Sequence, residues 1–251
     1  MSTSNKISPT IFLLRRFLFL SFLAGFLCAI SWCVYKAAVG PYMHIWSIDI
    51  VGNRQVSAQA IHHLSDLHYG KHYWSIDLDM AQEKIKRHPW IHSAAVRWSF
   101  PSNISIEIEE ESISALLALD NLWYINDDGT PFHIAQAGDL DYPIITGIPR
   151  DWVDRHPHVV QKIISESLGI LEAISQSQYL KSDNISEIYF QKNLGFSIIL
   201  HNGSKIILGF YEPKSRLDRL SEMVANGLDF TKPKQIVLDA EKVAVVIPIT
   251  N

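Results

Sequence analysis

Apolar and polar positions change their rhythm several times along the chain. The longest apolar run covers residues 17–35, FLFLSFLAGFLCAISWCVY, with no charge inside and with Arg15, Arg16 and Lys36 at its borders. A helix of that length rises about 28 Å, close to the roughly 30 Å hydrocarbon core of a bilayer, and basic flanks suit the headgroups. This predicts one membrane-crossing helix. Further on, residues 45–51 alternate imperfectly as a strand and close on the turn pair Gly52-Asn53. Ser57 is a fitting N-cap for a helix that staples Val56 onto Ile61, buries Leu64 and breaks at Tyr69-Gly70. A second helix starts after Asp77 or Asp79, buries Leu78, Ala81 and Ile85, and stops at His88-Pro89. A hairpin follows. Ala94, Val96, Trp98 and Phe100 share one face, Ile104, Ile106 and Ile108 the same face of the returning strand, and Pro101-Ser102-Asn103 is the turn.

The second half repeats the alternation with new partners. Residues 122–125 and Phe132 form a short hairpin around Asp127-Asp128-Gly129. Pro157 opens a helix whose stripe is Val160, Ile163, Ile164, Leu168, Leu171 and Ile174. Strands at 185–190 and 195–200 lead through Asn202-Gly203 into a strand at 205–210, and Pro213 opens a helix carrying Leu217, Leu220, Val224 and Leu228. Strands at 236–239 and 243–249 finish the pattern. The order strand, helix, helix, strand, strand followed by a β-rich stretch gives an α+β class. The organisation expected is a head at 1–16, a membrane helix at 17–35, a spacer at 36–44, a first domain at 45–112 and a second at 113–251.

Charge changes the picture by giving it a direction. Residues 1–36 hold four basic and no acidic groups, which leaves 18 Lys and Arg against 26 Asp and Glu in the remainder, a net of −8. The positive-inside rule places the head in the cytoplasm and the rest on the far side of the membrane. Trp32, Tyr35, Tyr42 and Trp46 read as an aromatic belt at the outer interface. A cleaved signal with Ala29-Ile30-Ser31 as its site competes, but the apolar run continues to Val34 and the head is long for a signal. The acidic exported part argues against nucleic acid as a partner. Both cysteines, Cys28 and Cys33, lie in the apolar run, so the exported part has no disulfide and no thiol chemistry.

Candidate chemistry is thin. His68 and His72 have helical zinc spacing but straddle Gly70, His88 and His92 straddle Pro89, and no HExxH pattern exists. Glu109, Glu110 and Glu111 read as a solvated strand exit, and no Walker, GxSxG or GxGxxG string occurs. No catalytic residue, cofactor, metal or small-molecule substrate is assigned. The run Val243, Ala244, Val245, Val246, Ile247 remains. It is either an edge strand with free backbone groups, a liability unless a partner covers it, or a strand paired within the sheet.

Several of these stretches resemble the FtsQ/DivIB family. Val51-Gly52-Asn53 with Val56-Ser57, the His-Pro-Trp-Ile at 88–91, and Phe100-Pro101 leading into Ile104 and Glu109 are similar to its POTRA domain. Tyr142-Pro143 to Gly147, and the Leu208-Gly209 strand end followed by Arg216-Leu217-Asp218-Arg219-Leu220, are similar to its β domain. The resemblance implies a non-catalytic, single-pass scaffold of the divisome in the inner membrane, with FtsB/FtsL-like and FtsK-like partners. It also implies that the last strand receives a partner strand, through Asp239, Val243, Ala244, Val245, Val246 and Ile247, and proline at Val245 is then expected to remove the donor a partner needs. Of the family's Asp-Leu-Arg-Tyr only Asp239 has a counterpart. A membrane-tethered cell-wall enzyme with an acidic cleft, and a POTRA adaptor in export or outer-membrane assembly, are the alternatives.

Overall fold

The computed structural model describes residues 9–39, 43–136, 138, 141–177, 184–210, 213–238 and 244–249. It divides into two compact units, 1–110 and 111–251. In the first, helix α1 (Pro9–Val39) contains the uncharged run, and residues 14–36 form a helix long and apolar enough to cross a membrane. The Lys36 ammonium lies over the Trp32 ring at 5.7 Å, a cation–π contact at the border of the run.

The rest of the first unit follows the expected order: β1 (Ser47–Val51), α2 (Ala58–Ser65), α3 (Leu78–Lys86), β2 (Ile91–Ser99) and β3 (Asn103–Glu110). The sheet order is β1-β3-β2, with β1 parallel and β2 antiparallel to β3. The two helices carry the chain from β1 across the sheet to β2, and the β2–β3 hairpin then lays β3 between them, parallel to β1. Ile61, Ile85, Ile104 and Ile106 are fully enclosed between the helices and the sheet. Both expected caps form: Ser57 Oγ accepts from the Ala60 N–H at 3.2 Å and Asp77 Oδ1 from the Met80 N–H at 2.9 Å.

Three local expectations are corrected. Helix α2 stops at Asp66, which takes the left-handed conformation (φ 55°) and is bound by Lys84 at 2.8 Å, rather than at Tyr69-Gly70. Asp is among the few non-glycine residues that adopt that geometry readily. Phe100 has left the strand for the turn and is exposed, because β2 ends at Ser99. Glu110 is not a solvated strand exit. Its carboxylate accepts the N–H groups of Arg54, Gln55 and Val56 at 2.8–2.9 Å, tying the end of β3 to the turn before α2. Burial pushes this carboxyl up, but the three N–H donors and the Arg54 charge together outweigh it and hold it below its ordinary 4.5.

The second unit is a nine-stranded mixed sheet. In chain order its strands are β4 (Ala115–Ala118), β5 (Leu122–Ile125), β6 (Pro131–Ile134), β7 (Ile144–Thr146), β8 (Ile185–Gln191), β9 (Gly195–Leu200), β10 (Lys205–Gly209), β11 (Lys234–Val237) and β12 (Val245–Pro248). Across the sheet they run β12-β11-β10-β9-β8-β7-β4-β5-β6. Helices α4 (Arg150–Arg155), α5 (Pro157–Ser175) and α6 (Pro213–Ala225) complete it. Ile163, Ile164, Ile170 and Ile174 of α5, with Leu217 and Leu220 of α6, join Ile188, Ile198, Ile206 and Ile236 of the strands in one core. Strands β4 and β7 and helix α4 were not anticipated; residues 142–147 were expected only as a link. A four-residue Ala-Leu-Leu-Ala run, buried at Ala115, Leu116 and Leu117, shows no alternation from which a period can be read.

Gly195, at φ +76°, packs its backbone against the Leu-Gly end of β10: a Cβ there would stand 2.2 Å from the carbonyl carbon of Gly209. Gly195→Ala is therefore expected to destabilise the second unit by about 2–3 kcal/mol, through steric overlap and a left-handed backbone, read as a lower chemical-denaturation midpoint. Glu110 yields a pH prediction of definite sign. With its folded value lowered, its contribution is complete above 4.5 and is lost as pH falls through the folded value. Glu110→Gln should lose about 1–2 kcal/mol at neutral pH and show a flatter acid limb than the unaltered chain in thermal melts of a fragment starting at residue 43.

Candidate partner-binding edge

The face that singles itself out is the β12 side of the nine-stranded sheet, and it is built from β11 outward. Ile236 is fully buried, as is Leu238 just past the strand's end, and both belong to the core. The start of β11 is held by the Lys234 N–H donating to Ser204 Oγ at 3.1 Å, on the buried Ser204 of the β9–β10 turn. Past its other end, Arg219 of α6 donates from Nη2 to the Leu238 carbonyl at 2.9 Å, and the Leu238 N–H donates to the Ile207 carbonyl at 2.9 Å. The second arginine of the Arg-Leu-Asp-Arg-Leu helix thus positions the chain on the threshold of residue 239. Before β11, the Lys234 ammonium reaches the Asp229 carbonyl at 2.6 Å and its carboxylate at 2.7 Å. Lys234, the Thr231 hydroxyl and the Thr231 N–H hold the Asp229 carboxyl down at about 2.

Strand β12 lies antiparallel on this platform, with Val245 opposite Val237, Val246 opposite Ile236, Ile247 opposite Gln235 and Pro248 opposite Lys234. Among the described residues it pairs with β11 alone. The expected alternatives are thereby separated: the strand sits at an edge. Val245, Val246 and Ile247 are 47%, 41% and 47% exposed, so neither face of the ribbon is enclosed by its own unit. Ala244 differs in being half-buried against the core. Asp239 and Val243 lie outside the described residues.

Antiparallel pairing makes successive backbone groups point alternately toward and away from the neighbouring strand. The Ile249 N–H donates to the Pro233 carbonyl at 3.1 Å, which sets the phase. Val245 and Ile247 therefore turn their N–H and C=O toward β11. Val246 turns both of its groups outward, and Pro248 its carbonyl. This corrects the expectation attached to Val245, whose N–H is engaged inside the sheet; the outward donor is that of Val246. Pro248, which the sequence reading passed over, fits the same phase, since a strand proline is tolerated where the absent N–H would face away from the sheet.

Two of the other edges carry protection. On β2, Gln82 Oε1 of α3 accepts the Val96 N–H at 3.3 Å. Strand β6 begins with a proline and is offset by a register shift against β5, a bulge of the kind that turns an edge away from further pairing. Carboxylates also gather in the second unit, where Asp127, Asp128, Asp141, Glu166 and Glu172 line an open groove with Lys214 and His201. All five are exposed, and Asp127 is engaged by the Ser114 hydroxyl. A glycosidase acid needs a carboxyl shielded from water, which this groove does not offer. Among the described residues no cluster of three His, Cys, Asp or Glu side chains is arranged to hold a metal.

Comparison with known proteins places both units. Residues 43–111 match the model described as POTRA domain, FtsQ-type, and residues 115–243 the model described as Cell division protein FtsQ/DivIB, C-terminal. A Cell division protein FtsQ from Anaeromyxobacter sp. (strain K) is 30% identical over 73% of this chain and 63% of its own length. One from Syntrophotalea carbinolica is 27% identical over 72% of this chain and 65% of its own. The Cell division protein DivIB of Bacillus subtilis is 30% identical over 68% of this chain and 60% of its own. The chain thus spans somewhat under two thirds of these three relatives. Strand β12 lies past the matched 115–243 stretch.

The phase of β12 is directly measurable. In amide hydrogen exchange the Val245 and Ile247 N–H groups should be protected and that of Val246 should exchange at close to the rate of an unpaired amide; the opposite ranking would refute the assignment.

Proposed function

The chain belongs to the FtsQ/DivIB family of cell division proteins, and from that premise we propose that it is a non-catalytic, single-pass membrane scaffold that gathers other septal proteins by adding a partner's strand to β12. The observation that carries this reading is the position of β12, paired on one side and exposed along its apolar length. A partner strand laid beside it would donate to the Val246 and Pro248 carbonyls and accept from the Val246 N–H. Backbone bonds supply affinity in such pairing and alternate side chains supply selectivity. Val245 and Ile247 project to one face and Val246 and Pro248 to the other, so a partner with apolar residues at alternating positions is favoured. The expected partners are FtsB/FtsL-like membrane proteins, with an FtsK-like protein as a further one.

Orientation follows from charge. The basic head remains in the cytoplasm, and the acidic remainder stands outside the inner membrane. Arg219 and Ser204 act as positioning residues, since they hold β11 in the place from which β12 is presented. The boundaries proposed for the segments are 1–16, 17–35, 36–44, 45–112 and 113–251.

Val246→Pro removes the outward donor without breaking a bond to β11. It should lower capture of an FtsB-like partner segment at least about tenfold, the equivalent of one charge-neutral strand bond plus a lost fit, while thermal stability stays near that of the unaltered chain. Val245→Pro should instead unpair β12 from β11 and lower stability. Undiminished capture by Val246→Pro, measured by calorimetry or co-purification, would remove strand addition from consideration.

A further inference from the structure

The first unit exposes its large aromatic side chains at one end, where three segments meet. The Ile45 N–H donates to the Lys71 carbonyl at 3.0 Å, the Gly70 N–H to the Ile45 carbonyl at 2.9 Å, and the Trp46 N–H to the Ser102 carbonyl at 2.8 Å. His44 stands edge-on to His72 at 5.0 Å, and Tyr73 edge-on to Trp98 at 4.8 Å and to Trp74 at 5.1 Å. The stretch before β1, the α2–α3 loop and the β2–β3 turn are therefore one surface. On it Trp46 and Trp74 are each 72% exposed and Phe100 77%. Clustered exposure of this kind marks an interaction site.

Charge and tether both identify the occupant. Residues 43–46, 68–74 and 98–102 contain no Asp or Glu but do contain Lys71, His44, His68 and His72, within an exported part of net −8. Asp66, the carboxylate nearest in sequence to these segments, is engaged by Lys84 at 2.8 Å, so the rim is neutral to basic and does not repel an anionic lipid surface. Helix α1 ends at Val39, and Met43 begins the domain. Four residues span at most about 14 Å, and the headgroup layer is roughly 5–8 Å deep on each side of the core. So short a link holds the rim at an effective concentration in the millimolar range or above, which makes weak partition sufficient. Indole rings favour this layer because it offers apolar contact and a hydrogen-bond acceptor together.

We propose that Trp46, Trp74 and Phe100 bed into the phospholipid headgroup layer of the membrane that α1 crosses, so that the domain is docked on the bilayer with β1 and β3 starting at the lipid surface. The proposal rests on α1 being a membrane anchor. It also supplies an internal reference. Trp90 precedes the start of β2, and the nine residues of that strand carry the chain about 30 Å to the rim at Ser99.

The test is fluorine NMR on the full chain carrying fluorotryptophan, in bilayer discs of phosphatidylethanolamine and phosphatidylglycerol, with and without acyl-chain spin-labelled lipid. Signals are assigned by single Trp→Phe substitutions. Trp32 inside the bilayer should broaden, Trp46 and Trp74 should broaden at least partly, and Trp90 should retain its intensity. Broadening of Trp32 with Trp46 and Trp74 unchanged would overturn the docking while leaving the anchor in place. Loss of Trp90 signal equal to that of Trp74 would mean the domain tumbles freely against the surface, and also overturns it. An unbroadened Trp32 would sink the anchor and the docking together. Shielding of Trp46 and Trp74 from a water-soluble relaxation agent without any lipid-label effect would assign the rim to a second copy of the chain instead.

Discussion

Backbone hydrogen bonding is the constraint on which the second unit depends. Successive residues of an inner strand satisfy their N–H and C=O alternately on the neighbour to one side and the neighbour to the other, and the price of a missing neighbour is a row of polar groups left to water or to a partner. The sheet spends its core on closing eight of its strand interfaces and leaves β12 closed on one side. What lies behind that strand is rigid: buried Ile236 and Leu238, the Arg219 bond to the Leu238 carbonyl and the Ser204 bond to the Lys234 N–H. A firmly held β11 beneath an open β12 is an arrangement suited to receiving a strand, because the template has little conformational freedom left to lose.

The first unit solves the same problem differently. Its β2 edge is met by Gln82, and its termini are drawn in by Glu110, whose carboxylate gathers three consecutive N–H groups. That contact links the last residue of β3 to the turn after β1, across more than fifty positions of sequence, and so closes the parallel β1–β3 pair that defines the unit. The open chemistry of this unit is aromatic and lies at the end where the chain arrives from α1. The two units therefore present unlike surfaces: a basic-to-neutral aromatic rim in one and a backbone edge in the other.

Much of this was legible in the sequence where a local rule has a single outcome. The uncharged run at 17–35, the Ser57 and Asp77 caps, the proline that opens α5 and the Asn202-Gly203 turn each follow from chemistry contained within a few residues. The resemblance to the family rested on the same kind of short stretches, and the matches at 43–111 and 115–243 bear it out. Failures fell where the outcome is set by a distant partner. Asp66 ends α2 early beside Lys84, Phe100 falls outside a strand whose register with β3 stops at Ser99, and Ala115–Ala118 becomes a strand only because β5 and β7 flank it.

By itself the sequence determined the long apolar helix, the types of most elements and the apolar character of residues 243–247, since hydropathy, capping and turn preferences act over one or two helical turns. Only the tertiary structure decided that β12 is an edge, that Val246 rather than Val245 turns its N–H outward, and that Trp46, Trp74 and Phe100 share a surface. Register and edge position are properties of a pair of strands, and a shift of one residue reverses every backbone group. No periodicity within a single strand can encode which neighbour it will have.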